Sequence, residues 1–276
     1  MYEKYEKEQI TLFVGFDPRE AAVYHVFCQS VIDYTTVPVK FIPLHSNMLN
    51  NFDGQQDGTN AFIFSRYLVP YLMDYEGWAI FCDGDQLCND DLLKLWDLRD
   101  EGKAVQVVQH DYKTCSPRKY IGSPIENDNI NYDRKNWSSV MLFNCSHPAN
   151  KFLNRKTVAE AGAKFLHRFQ WLNDNEIGEL PIEWNWLDTE YPENSGAKLH
   201  HHTLGAPGFK TYADCDSAAA WHRTLIRSLT MIGEDATEMV RRATWKGIDG
   251  TNNELLNAAN GGSRLPSKER PDQLRT

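Results

Sequence analysis

Asp83-Gly84-Asp85 sets two carboxylates two residues apart, directly after the apolar stretch Trp78-Ala79-Ile80-Phe81-Cys82. That stretch has the length and composition of a buried strand. A buried strand that empties into Asp-Gly-Asp delivers both acids to the carboxyl edge of a sheet, where open α/β sheets bind their ligands. At a separation of roughly 5 Å and an effective dielectric of about 20, the two charges repel by about 3 kcal/mol. A divalent cation removes that repulsion, and hard oxygen ligands suit Mg²⁺ or Mn²⁺. The competing reading is a plain strand-to-helix turn, with Asp85 or Asp90 capping the helix that follows. Asp-x-Asp alone is common, so the choice rests on the rest of the chain.

The elements that would position this pair follow from local pattern. Ile10 to Phe16 reads as a first buried strand, punctuated by Gly15. Asp17-Pro18 then opens a helix running to about Asp33, with Asp17 as cap and Pro18 at the first position. Val37 to Leu44 reads as a second strand, which completes the βαβ opening of a nucleotide-binding sheet. A polar segment from His45 to Asn60 precedes an apolar helix, Phe62 to Tyr75, interrupted by Pro70. Arg66 stands alone among its apolar residues, either as an exposed edge or as a charge placed to meet an anion. After Asp-Gly-Asp come a short helix (Asp91 to Leu98), a strand (Ala104 to Gln109) ending in His110-Asp111-Tyr112, and a second polar loop, Lys113 to Lys135. Asn136, Ser138 and Ser139 enter the strand Val140 to Asn144 from that loop, as hydrogen-bonding groups rather than packing.

Two helical segments follow, near 148–160 and 164–172. Beyond them Trp184 and Trp186 flank Asn185 as an aromatic wall, either core or a platform for a ring-shaped ligand. A last strand, Ala197 to His202, delivers His200-His201-His202, and strand alternation puts His200 and His202 on one face and His201 on the other. His25, His45, His147, His167 and His222 read as ordinary surface or packing residues. From about Ser217 the pattern is helical, and the polar, charged stretch from Gly261 reads as a disordered tail.

Composition bounds the function. The chain has 276 residues, 41% of them apolar, and a formal charge of -9, which disfavours a broad phosphate-binding face. Arg118, Lys119, Arg134 and Lys135 in one loop keep a nucleic-acid contact open. The start lacks the apolar core of a signal peptide, and no apolar run is long enough to span a bilayer. The six cysteines are scattered without a Cys-x-x-Cys pair, which suits reduced thiols in a cytoplasm.

Taken together, VGFDPREAAVYHV, FSRYLVPYL, GWAIFCDGDQL, RKNWSSVMLFN, HRFQWLNDNEIGELPIEWNWL and HHTLGAPGF resemble the A-type (GT-A) glycosyltransferases. Within these the chain is similar to family 8, which includes glycogenin and lipopolysaccharide sugar transferases, and looks most like uncharacterised bacterial and phage members. The resemblance spans Ile10 to Trp221. It implies a single Rossmann-like GT-A domain with a mixed central sheet over 1–222, a C-terminal helical extension over 223–260 and a tail over 261–276.

The resemblance further implies metal ligation by Asp83, Asp85 and His202, with His202 chosen because Gly205 follows three residues on. It implies nucleotide or diphosphate contacts from Asp17, Arg19, Arg66 and Gly205. Gly208 stands where the family has a lysine, and Lys210, two residues later, is the candidate to take up its diphosphate contact. Asp111, Asn136, Ser138, Ser139 and Trp186 would meet donor sugar or acceptor, and Asp174 and Asn175 would act beside the anomeric carbon. The implied activity is Mn²⁺- or Mg²⁺-dependent transfer of a sugar from a UDP-linked donor to an acceptor hydroxyl, with retention of configuration. The acceptor is a glycan, a lipid-linked or a small molecule. Transfer to a modified nucleic-acid base, or nucleotide-sugar binding without catalysis, stays open. A nucleotidyltransferase is a poorer match, because Gly15-Phe16-Asp17-Pro18-Arg19 lacks the Gly-rich basic loop that chemistry uses.

Overall fold

The computed structural model describes residues 8–49, 52 and 60–229. The chain opens with β1 (Ile10–Gly15), α1 (Ala21–Tyr34) and β2 (Val39–Leu44). The Phe62–Tyr75 stretch forms a 3₁₀ turn and then only the one-turn α2 (Val69–Leu72), because Pro70 is placed for a helix start and not an interior. β3 (Trp78–Cys82) and β4 (Gln86–Cys88) flank the Asp-Gly-Asp turn. Then follow α3 (Leu92–Trp96), β5 (Val105–Val107), a ribbon of β6 (Arg118–Lys119) and β7 (Asn127–Asp128), and β8 (Val140–Asn144). The rest comprises α4 (Arg155–Glu160), α5 (Ala163–His167), β9 (Ile177–Glu179), β10 (Trp186–Leu187), β11 (Leu199–His201) and α6 (Ala218–Leu229).

Six strands form a mixed central sheet in the order β2-β1-β3-β8-β5-β9, with only β8 running against the others. Alternation along each strand divides the core. Phe13, Phe81, Val105, Met141 and Phe143 face one layer, packed with Tyr67, Leu68 and Phe169. Leu12, Val14, Ile80 and Leu142 face the other, against Phe27 and Val31 of α1 and Leu92 and Trp96 of α3. Because β1, β3, β5 and β9 run parallel, Gly15, Asp83, His110 and Leu180 all emerge at one edge.

A second, three-stranded sheet, β10-β11-β4, continues from that edge. β11 runs antiparallel to β4, pairing His201 with Gln86, one residue past Asp85. α6 crosses position 222 and closes the arrangement: Trp221 and Leu225 pack with Val23 and Val26 of α1 and Leu87 of β4. The helical extension expected over 223–260 is described only to 229, and the tail expected over 261–276 lies outside the described residues.

Candidate active site

The Asp-Gly-Asp turn runs against the end of β1. A Cβ on Gly84 would stand 2.3 Å from the backbone oxygen of Gly15, so this close approach requires glycine. No helix follows directly: the chain enters β4, and Asp91, not Asp85 or Asp90, caps α3 through Leu93 N. The pair is therefore not a capping turn.

Asp83 and Asp85 are both largely buried. Arg66 Nη1 lies 2.8 Å from Asp83 Oδ1 and donates to Ser138 O at 3.0 Å, so the lone arginine of the apolar stretch is the buried partner of an anion. Burial pushes the Asp83 carboxyl above its usual range; Arg66 opposes this and the Asp85 charge adds to it. Burial also works against the charge on Asp85, but His201 leads the groups that overcome it and hold its pKa below the usual value.

His201 Nε2 stands 3.4 Å from Asp85 Oδ1 and 3.8 Å from Asp83 Oδ2. Its Nδ1 donates to Asn185 Oδ1 at 2.9 Å, and Asn185 is oriented in turn by donating Nδ2 to Asn136 O. In the neutral imidazole that bond keeps the proton on Nδ1 and frees Nε2 toward the carboxylates, the arrangement a metal-binding histidine needs. Asp85 Oδ1 is buried without a hydrogen-bond partner, and Asp83 Oδ1 meets the Arg66 guanidinium as an ion pair without an aligned hydrogen bond. Asp83, Asp85 and His201 offer ligand atoms all within 4.8 Å of one another. Two carboxylates, one imidazole and an unsatisfied buried oxygen fit a divalent cation such as Mn²⁺ or Mg²⁺.

His202, the residue the resemblance points to, turns the other way. It donates from Nδ1 to Asp85 O at 2.9 Å, and its Nε2 lies 2.7 Å from Ser217 Oγ. Ser217 donates to Asp188, which also accepts from His200 Nδ1 at 2.7 Å. Asp188, His202 and Cys215 form a second compact group of donor atoms, but hydrogen bonds already occupy Asp188 and His202. The structure gathers His201 with the pair and places His202 with Asp188 and Ser217.

A cavity of about 540 Å³ adjoins the pair. Arg66, Asp83, Asn136, Ser138 and Ser139 line it, as do Lys119, Asn129, Lys135 and His167. The Lys135 ammonium donates to Asn129 Oδ1 and Ile130 O, and burial pulls its pKa down to about 8. His167 shares Nδ1 with Tyr67 Oη and Ser138 Oγ, and burial keeps it neutral, with a pKa near 3. A smaller hollow next to Asp85 is lined by Gly15, Asp17, Glu20, Tyr24 and Phe62. There Asp17 accepts from Arg19 and from Ala61 N, and burial, then Asp85 and Asp17, push the Glu20 carboxyl up to about 8.

Other expected residues fall elsewhere. Ile177 of β9 is level with Val105, which is level with Phe143 and so with Ala79 near the start of β3. Asp174 and Asn175 precede Ile177, so they sit at the edge of the sheet opposite Asp83. Both are exposed, and Asp174 pairs with Arg134 at 2.5 Å. The structure does not bring them to the carboxylate pair. Asp111 and Lys210 are exposed and outside the cavity wall. Trp186 packs on Tyr191 and donates to Pro192 O, while Trp184 is core. Gly205 has φ 148, and a Cβ there would meet the Tyr212 ring at 2.3 Å.

No family model matches the chain. It is 40% identical over 227 residues to protein CDI of Arabidopsis thaliana, an alignment covering 78% of this chain and 86% of that relative. The chain belongs to the family of protein CDI. Among solved structures it is similar to the apo form of WbbM, a bifunctional glycosyltransferase, with TM-score 0.56 and 14% identity, over 79% of this chain and 50% of that one. It is also similar to the glycosyltransferase GlyE of Streptococcus pneumoniae, with TM-score 0.50 and 11% identity, over 79% and 61%. The chain thus spans about half to three-fifths of those structures, and its mixed sheet is the GT-A glycosyltransferase fold.

In this CDI-family chain the residues that sequence reasoning passed over are His201, Asn185, Glu20 and His167, together with Lys119 and Lys135 as cavity residues. His167 was set among ordinary packing residues. The basic loop offered a signal for the lysines, but as a nucleic-acid face. Instead Arg118 pairs with Glu126 and Asp128, Arg134 pairs with Asp174, and both lysines line the cavity.

Proposed function

We propose that this chain is a metal-dependent glycosyltransferase of family 8 type, moving a sugar from a UDP-linked donor to an acceptor hydroxyl with retention of configuration. The observation that carries the reading is Asp83, Asp85 and His201, with a buried Asp85 oxygen left without a hydrogen bond and an oriented imidazole, beside a cavity of amide, hydroxyl and cationic groups. A divalent cation held there would offset the negative charge that grows on a departing diphosphate. Arg66 holds Asp83 and fixes the Ser138 backbone, so the ligand carboxylate and the sugar-facing segment move as one unit. Asn136, Ser138 and Ser139 meet sugar hydroxyls, and Gly15, Asp17 and Tyr24 face the nucleoside. The carboxylates in the cavity wall are Asp83, paired with Arg66, and Asp128, paired with Arg118. Neither is a spare nucleophile, which supports attack by the acceptor on the face the diphosphate leaves rather than a covalent intermediate.

Transfer to a nucleic-acid base has little support, because the basic loop is neutralised or turned inward. A glycan, lipid-linked or small-molecule acceptor fits better. All six cysteines are free, which supports a cytoplasmic setting. Among the described residues no helix is long and apolar enough to cross a membrane.

The test is a panel of nucleotide-sugars with Mn²⁺, scored for slow hydrolysis without acceptor. A UDP-sugar should be hydrolysed, the reaction should stop on chelation, and Asp85→Asn should abolish it without lowering the melting temperature. Near-normal activity in Asp85→Asn would sink the proposal, and donor binding without turnover across all donors and acceptors would make the chain a binder.

A further inference from the structure

Lys119 lines the cavity together with Asp83, and none of the ion pairs among the described residues involves it. The opposing charges it feels most are Asp85, then Asp83, then Glu20. Its place in the wall shared with Arg66, Asp83, Ser138 and Thr203 puts it in the cavity where a group joining a nucleoside to a sugar would lie.

The ribbon that carries it is fastened at several points to the segment after β11. Tyr120 N donates to Leu204 O at 2.6 Å, Ile121 N donates to Tyr212 Oη at 3.1 Å, and Thr211 Oγ1 donates to Ile121 O at 3.0 Å. Tyr120 is buried in the left-handed region at φ 56, a conformation a tyrosine keeps only when its surroundings impose it. Its ring lies edge-on to Phe209. Gly205 gives up its side chain to the Tyr212 ring that anchors Ile121. These contacts fix the backbone next to Lys119 against the segment after β11, so that the lysine shares the cavity wall with Thr203 although it comes from a distant part of the sequence.

We propose that Lys119 is the diphosphate-binding cation of this site and that exposed Lys210 is not. The proposal rests on the nucleotide-sugar reading above. As a compact point charge, the ammonium would meet phosphate oxygens and neutralise diphosphate charge beyond what a cation held by Asp83, Asp85 and His201 offsets.

Calorimetric titration of the full chain with inorganic pyrophosphate at saturating Mn²⁺ tests this whichever base and sugar the enzyme uses. Lys119→Gln should weaken pyrophosphate about tenfold or more. Lys119→Arg should recover most of the loss, Lys210→Gln should stay within about twofold of wild type, and Mn²⁺ binding alone should be unchanged in all three. In turnover, Lys119→Gln should raise the donor KM and slow departure of the diphosphate, with Lys119→Arg intermediate. If Lys119→Gln melts early, Lys119→Met keeps the aliphatic stem and takes its place. Wild-type affinity in the Lys119 variants, or a loss that follows Lys210 instead, would overturn the assignment while leaving the site reading intact. A wild-type chain that binds neither Mn²⁺ nor pyrophosphate would overturn both.

Discussion

His201 turns its imidazole to Asp83 and Asp85 while His202, one residue on, turns to Ser217, because successive residues of a strand face opposite sides. The alternation of the three histidines was legible in the sequence. Which face meets the carboxylates was not, since that depends on β11 pairing with β4, a three-residue strand that no apolar alternation announces. The same gap hid Asn185, whose value lies in orienting His201 rather than in its own position. Spin-resonance titration with Mn²⁺ separates the two histidines. His201→Ala should weaken Mn²⁺ by more than about tenfold, and Asn185→Leu by about tenfold, as for other groups that orient a metal ligand. His202→Asn should chiefly lower the melting temperature, because it leaves buried partners at Ser217 and Asp85 unsatisfied at about 1–3 kcal/mol. A larger metal defect in His202→Asn than in His201→Ala would reverse the assignment.

At the level of elements, β1, α1, β3 and β8 were readable because each combines an apolar run with an unambiguous terminator. The short pieces were not, since two or three residues carry too little pattern. Missing β9 had the largest consequence: it hid the fact that Asp174 and Asn175 lie at the amino end of a strand parallel to β5, away from the carboxyl edge. The Asp-Gly-Asp turn shows what the sequence could state only in part. Its aspartates were readable as chemistry, but its glycine is required by the backbone oxygen of Gly15, a contact between β1 and β3 that only the fold provides. Gly84→Ala should therefore lower stability by about 1–3 kcal/mol, since the obstruction is backbone and cannot swing aside. Denaturant unfolding would measure this, and an unchanged midpoint would mean that the two loops separate freely.

Across the whole molecule, a charge of -9 conceals a cavity of the opposite character. Its wall holds Arg66, Lys119, Lys135, Lys164 and Arg168 against Asp83 and Asp128. A cationic hollow in an acidic surface concentrates field lines on an anionic ligand, and total charge cannot reveal such an arrangement. The order of the sheet explains why the site forms there. Five parallel strands discharge their loops at one edge, β4 and β11 add a second sheet from that edge, and α6 locks β4 against α1 through Trp221. The central claim is that the Asp-Gly-Asp edge is a cation site shared with a nucleotide diphosphate. Anomalous diffraction from crystals grown with Mn²⁺ and UDP tests it most directly. The predicted result is a Mn²⁺ peak held by Asp83, Asp85 and His201 and touching a UDP phosphate. A peak at Asp188, His202 and Cys215 instead, or UDP bound with no cation at the aspartates, would contradict it.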